Sequence, residues 1–349
     1  MFPFRVINQP TTEQLLDMAS VIEVVEQAYQ IKSSQQATLF PLIFHEFAAG
    51  KADMDIKSGH LPRADIFGLK LVSWFGENEQ KGLPQLIGTV MVLDSRTGVP
   101  LGLLSGEHIT CMRTGAAGGI GAKYLARPEA ENLLMIGTGH QAPFQIIATL
   151  MAMDNIKRVY ISHPRSYEKA QKFAATIKDR LLTAFVAKYE GEDYERYARK
   201  CEVEFIAVES LEKTVGEADV IITATPSRTP LIQSEWVKPG THITCIGADM
   251  AGKQEIDERL FAMGRVFVDD IGQAVSVGET EIPLKKGLIS QADIVAEIGS
   301  VILGQAAGRR SAEEITIFDS TGIALQDLLT AHHILQKAQA SGAGAVVDL

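Results

Sequence analysis

From residue 131 onward the chain repeats one rhythm: a short apolar run, a turn, then a helical stretch. "NLLMIG", "RVYIS", "VEFIAV", "DVIITATP", "HITCIGA" and "RVFVDD" are six such runs, none with strict polar alternation. A strand apolar on both sides must be covered on both faces, and intervening helices impose parallel pairing. This half is therefore predicted to be a parallel sheet sandwiched by helices. The charged helical stretch 167–201 is overlong and extends one crossover. Upstream the texture differs. "LFPLIFHEF", "ADMDIKS", "IFGLKLVSWF", "LIGTVMVLDS" and "PLGLLSG" are alternating or short apolar runs separated by turn residues, the pattern of an antiparallel sheet. Before them, "TTEQLLDMASVIEVVEQAYQIKSS" predicts a helix with a threonine cap.

At about 150 residues per domain, 349 residues suggest two domains. The final helix, "ALQDLLTAHHILQKAQA", has no place in a completed parallel sheet. It is expected to return to the N-terminal domain, which makes the parallel sheet an insertion. The expected architecture is α/β: a doubly wound parallel sheet (129–317) inserted into a second α/β domain formed by 1–128 plus 318–349.

A net charge of -10 disfavours nucleic-acid or anionic-membrane partners. The N-terminus lacks the features of a secretory signal, and no apolar run approaches the roughly 18 residues that span a bilayer. Cys111, Cys201 and Cys245 lie far apart and form no metal-ligand spacing. The expectation is a cytoplasmic protein with no metal.

Within "LMIGTGHQAPFQIIATL", Gly137, Gly139 and Ala142 give G-x-G-x-x-A directly between a buried strand and a helix. Gly137 suits the tight turn, Gly139 lets backbone approach a pyrophosphate, and Ala142 allows close helix–strand packing. The helix N-terminus adds amide donors and a positive dipole. After the second strand, "VYISHPRS" carries no carboxylate to hold a ribose 2′-hydroxyl. Ser162, His163, Arg165 and Ser166 suit a 2′-phosphate instead, which favours NADP(H), with NAD(H) the alternative. Thr225 and Ser227, in "ATPS", end the fourth strand where such a sheet meets its ligand.

Lys70 stands in the apolar strand "IFGLKLVSWF", and Arg113 stands beside a glycine-rich helix in "HITCMRTGAAGG". Four glycines in a helix cost about 1 kcal/mol each against alanine, so another helix or a ligand must approach closely there. Together the two cations could clamp a substrate carboxylate, or they could be an edge lysine and a surface arginine. Asp249, in "CIGADMAGKQEID", follows the fifth strand and is either an acid/base or a helix N-cap. Lys253 and Glu255 read as helix-start charges.

The runs "GLKLVSWFGENEQKGLP", "ITCMRTGAAGGIGAKYLARPEA", "IGTGHQA", "GADMAGKQEID" and "FDSTGIALQDL" resemble, in order, the ornithine cyclodeaminase/mu-crystallin family. The resemblance spans about residues 57–327. It implies that the parallel sheet is a Rossmann domain inserted into a second, substrate-binding α/β domain, a homodimer built through that second domain's sheet, and Lys70 and Arg113 on the substrate carboxylate. It also implies Asp249 exchanging a proton with the substrate amine and Thr114 against the cofactor. Gly137, Thr138, Gly139, Gln141 and Ala142 would lie around the pyrophosphate, and Asp319, Ser320 and Gly322 near the nicotinamide.

The ornithine enzymes have a further upstream arginine where "PLIFHEFAAG" offers only His45, and Met-Pro where this chain reads "DIKSG". Lys57 would repel the side-chain ammonium of ornithine, although Asp55 could hold an amine. The resemblance therefore implies an NAD(P)-dependent imino-acid reductase or amino-acid dehydrogenase. The alternatives are ornithine cyclodeaminase, which recycles its cofactor, and a non-enzymatic binder.

Overall fold

The computed structural model describes residues 2–348, which form two compact units. One comprises the chain up to Arg113 together with Ile323 onward, and the other is Thr114–Gly322. These joins lie at 113/114 and 322/323 rather than at the anticipated 128/129 and 317/318. The glycine-rich helix and the strand Thr316–Asp319 pack largely with the second unit, which moves both boundaries.

The first unit begins with β1 (Pro3–Ile7), α1 (Gln9–Leu15) and α2 (Met18–Ser33). A single threonine-capped helix was expected across α1 and α2. Instead Asn8 Oδ1 accepts from Thr11 N and Asp17 Oδ1 accepts from Ser20 N, so each helix has its own N-cap. Then come β2 (Thr38–Leu39), β3 (Ile43–Ala48), β4 (Ala52–Leu61), β5 (Ile66–Phe75), β6 (Leu86–Asp94) and β7 (Pro100–Ser105). They pair antiparallel in the order β7-β6-β5-β4-β2, with β3 also on β4. β1 runs parallel to β7, and the last strand, Ala345–Asp348, closes the edge antiparallel to β1.

The C-terminal helix (Ala324–Ser341) packs on α2 and across one face of this sheet, burying Leu325, Leu328 and Leu335. Alternation along each strand puts Ile43, Phe47, Leu71 and Ile87 on the opposite face, where all four are exposed. One face of the sheet is thus covered and the other is apolar and open.

The second unit takes most of α3 (Gly106–Leu125), then β8 (Asn132–Ile136), α4 (Ala142–Ala152), β9 (Arg158–Ser162), α5 (Tyr167–Ala184), α6 (Gly191–Lys200), β10 (Glu204–Ala207) and α7 (Leu211–Glu217). Next come β11 (Val220–Thr223), β12 (Arg228–Ile232), β13 (His242–Cys245), β14 (Gln254–Ile256), β15 (Arg265–Val268), β16 (Ile294–Glu297) and β17 (Thr316–Asp319). The eight-stranded sheet has the order β10-β9-β8-β11-β13-β17-β15-β16, all parallel, while β12 and β14 form a separate parallel pair. α5 and α6 together fill the long crossover between β9 and β10. Both faces of the sheet are apolar and buried, as continuous Val/Ile/Leu strands require. Among the described residues no helix is long and apolar enough to cross a membrane.

The glycines of α3 are explained by α4. A Cβ on Gly115 would lie 2.6 Å from the Phe144 carbonyl oxygen, and one on Gly119 would lie 2.7 Å from that of Ala148. Both pairs are four residues apart, so one glycine stripe meets one turn-spaced stripe of backbone. Gly119→Ala should gain helix propensity yet lose about 1–3 kcal/mol overall through overpacking. Urea unfolding monitored by circular dichroism measures the sign.

Candidate active site

β8 ends directly in the glycine turn. Gly137 has φ +114°, and a side chain there would meet the Ala224 carbonyl oxygen at 2.6 Å. Its amide donates to Ser162 O at 2.8 Å, which ties the turn to the end of β9. A Cβ on Gly139, by contrast, would meet nothing within 4 Å. α4 begins at Ala142 with Pro143 in its first turn and no side-chain N-cap; Ala142 N donates to Gly139 O at 3.2 Å and Phe144 N to Gln141 O at 3.1 Å. Gln141 Oε1 is buried with no hydrogen-bond partner. The tight turn and the open space over Gly139 fit a dinucleotide pyrophosphate. Thr138 is half-buried in the same turn. Thr114, on α3, is also half-buried, and its carbonyl accepts from Gln145 Nε2 at 2.8 Å.

At the tip of β9, Ser162 is buried, His163 half-buried and Arg165 exposed. Ser166 caps α5 through Lys169 N. Burial, with Lys169 and Arg165 nearby, holds the His163 imidazole below its usual pKa.

Buried carboxylates organise the loops beyond the strand ends. Glu255 Oε1 accepts from Thr225 N (2.6 Å) and Thr225 Oγ1 (2.7 Å), and Oε2 accepts from Thr223 Oγ1 (2.7 Å) and Gly247 N (2.8 Å). Reading Glu255 as a helix-start charge is therefore wrong: it is fully buried, and the chain enters strand β14 there rather than a helix. For the same reason Asp249 is no helix N-cap. It lies four residues beyond β13, half-exposed and ion-paired to Lys253. Thr225 directs its hydroxyl inward to Glu255, while Ser227 donates to Thr229 O.

Asp319 closes β17. It is fully buried, and its Oδ2 accepts from Thr280 N and Oγ1. Burial pushes its pKa up to about 7, against the Thr280 bonds that lower it. Burial raises Glu279 well above the normal carboxyl range, helped by the Glu255 and Asp319 charges. Asp269, which sequence reasoning missed, holds the turn after β17: its carboxylate accepts from Ser320 Oγ, Thr321 Oγ1 and Gly322 N. The signal was the carboxylate ending "RVFVDD".

In the first unit, Lys70 (β5) and Arg113 (α3) are buried and share one partner that sequence reasoning also missed. Asp327, on the C-terminal helix, accepts from Lys70 Nζ at 3.0 Å and Arg113 Nε at 3.0 Å. Lys57 is paired in register with Lys70 on β4, so both project to the same face, and Asp55 is two residues along it. Burial pushes the Lys70 ammonium down to about 8; Arg113 and Lys57 add to this, and Asp327 and Asp55 oppose it. Burial would raise Asp327, but Arg113, Lys70 and Lys57 hold it below the usual range. Cations outnumber anions in this cluster, so it is suited to receive one more carboxylate. His45 does not join it. It pairs with Met54, which alternation places on the other face, and its ring edge packs on Phe47.

A dinucleotide-type glycine turn on a doubly wound sheet, with a separate buried cation pair, defines a nucleotide-dependent enzyme fold. The ornithine cyclodeaminase/mu-crystallin family model matches residues 5–342, and the chain belongs to that family. It is 36% identical to an alanine dehydrogenase of Archaeoglobus fulgidus, over 98% of this chain and 97% of the relative. It is 32% identical to an iminosuccinate reductase of Paracoccus denitrificans, over 99% of each. A Delta(1)-pyrroline-2-carboxylate reductase of Bacillus cereus is 33% identical, over 98% and 99%. Among solved structures, an archaeal alanine dehydrogenase dimer with bound NAD superposes with TM-score 0.88 at 35% identity, covering 100% of both chains. The Paracoccus denitrificans iminosuccinate reductase in complex with NAD+ gives TM-score 0.86 at 31% identity, also covering 100% of both.

Removing the shared carboxylate strands two buried cations. Asp327→Ala should cost about 3–5 kcal/mol. Denaturant unfolding beside wild type tests this, and a loss under 1 kcal/mol would contradict a buried ion triad.

Proposed function

We propose that the chain is an NAD(P)-dependent oxidoreductase acting at the α-carbon of a small imino or amino acid, as an imine reductase or amino-acid dehydrogenase. The observation that carries this reading is the buried Lys70–Asp327–Arg113 cluster, cation-rich and built in a chain that also has a dinucleotide turn. When bound, the nicotinamide supplies or accepts the hydride.

The protein's own residues do the rest. Lys70 and Arg113 anchor the substrate carboxylate, Arg113 through its planar fork and Lys70 as a compact charge. Asp249, half-exposed beside Lys253, delivers or removes the proton at the substrate nitrogen. Gly137, Thr138, Gly139, Gln141 and Ala142 hold the pyrophosphate. Thr114, Ser320 and Gly322 border the nicotinamide. Lys57, in register with Lys70, disfavours a substrate bearing a second ammonium, which argues against ornithine. The tip of β9, with His163 and Arg165 and no carboxylate, favours NADP(H), although the two solved relatives above hold NAD. Three buried cysteines, none in a disulfide, suit a cytoplasmic setting.

We also propose a homodimer. The open face bearing Ile43, Phe47, Leu71 and Ile87 is a contiguous apolar surface of the kind that marks an interface, and a relative of equal length is a dimer. Phe47→Asp should shift the chain toward monomer in sedimentation velocity; an unchanged sedimentation coefficient would place the interface elsewhere.

The reaction is tested with a panel of 2-oxo acids and ammonium, using both cofactors. Net NAD(P)H consumption is expected. Lys70→Ala and Asp249→Ala should each lower turnover about a hundredfold while nucleotide affinity survives. Because anchoring needs the charged ammonium and its pKa is about 8, kcat/KM should fall as pH rises past that value, through KM. Release of ammonia from ornithine at constant cofactor absorbance would instead identify a cyclodeaminase.

A further inference from the structure

The loop that carries Asp249 is held at both ends by buried carboxylates. At its start, Gly247 N donates to Glu255 Oε2 at 2.8 Å, and near its end Gly252 N donates to Glu281 Oε2 at 2.7 Å. Glu255 is fully buried and Glu281 nearly so. Gly247 can be nothing larger, since its missing Cβ would fall on the Thr225 backbone and within 2.7 Å of the Glu255 carboxyl carbon. Gly252 has φ +73°, which turns the loop back toward β14.

Glu255 makes a second link. Its other oxygen accepts from the backbone and hydroxyl of Thr225, so one carboxylate joins the loop after β11 to the loop after β13. Glu255 is itself fixed, because its own amide donates to Glu279 Oε1 and the amide of Ile256 donates to Glu279 Oε2. Neither loop could satisfy these amides alone, since beyond the strand ends no neighbouring strand is present to accept them.

We propose that Glu255 and Glu281 are positioning residues that fix the Asp249 loop, and so the site of proton transfer, relative to the Thr225 loop. This rests on the reading of Asp249 given above. Both oxygens of Glu255 accept from backbone N–H groups. The isosteric Glu255→Gln must therefore turn an NH2 toward either Thr225 N or Gly247 N, and one link is lost. Gln at 281 could keep its carbonyl on Gly252 N, so Glu281→Ala is the informative change there.

The test pairs hydrogen exchange with kinetics on the full-length chain. Glu255→Gln should quicken amide exchange in peptides covering 224–228 and 246–253, with the β8–β9 peptides unchanged. It should lower kcat about ten- to a hundredfold, the scale of a misplacement near 1 Å, while KM for the carboxylate substrate stays within about twofold because Lys70 and Arg113 are untouched. If Glu255→Gln does not fold, Glu281→Ala must show the faster exchange at 246–253 and the same split of kcat from KM. Unchanged exchange in 246–253 in the folded variant overturns the proposal. So does a change confined to melting temperature, or a KM that rises with kcat intact. If wild type turns over no imino or amino acid, the functional reading fails, while the exchange result still decides the clamp.

Discussion

One carboxylate between two buried cations underlies the account. Asp327 is drawn from the C-terminal helix, 257 residues from Lys70 and 214 from Arg113. Without it, two desolvated positive charges would face each other with Lys57 close by, an arrangement costing several kcal/mol. With it, the pair is held rigidly and still carries excess positive charge. Fixed geometry and excess positive charge are what the proposed anchoring of a small carboxylate requires. The shared carboxylate also explains why the chain must return to the first unit after the parallel sheet: the helix bearing Asp327 belongs there.

The second unit solves a related problem with opposite charges. Loops beyond parallel strands present amides with no strand partner, and buried carboxylates accept them: Glu255, Asp269, Glu279, Glu281 and Asp319. Burial raises the proton affinity of Glu255, Glu279 and Asp319, so this cluster avoids the full repulsion of simultaneous ionisation. The loops thereby gain a rigidity that their glycines alone would not give them.

Much of the fold was legible because burial imposes sequence patterns. Continuous apolar runs announced the parallel strands, and the glycine pattern announced the tight turn between β8 and α4. Glycines in α3 signalled close approach, and α4 is what approaches. What was not legible depends on contacts far apart in sequence. A carboxylate in a loop or late helix resembles a solvated charge, so Asp327 was missed, Glu255 was taken for a helix-start charge and Asp269 passed unnoticed. The position of β17 between β13 and β15 follows no chain-order rule, so the unit boundary falls after it rather than before. His45 was offered by the family resemblance alone, and a single step of strand alternation carries it to the opposite face.

The most direct test of the central claim is isotopic. NAD(P)H deuterated at the transferable nicotinamide C4 position would be incubated with the chain, a 2-oxo acid and ammonium, and the amino acid analysed by mass spectrometry and proton NMR. One deuterium is expected at the product α-carbon, with cofactor consumed in equal amount and incorporation about a hundredfold slower in Lys70→Ala. Unlabelled product, or incorporation at the wild-type rate in the Lys70 variant, would contradict hydride transfer to an anchored substrate.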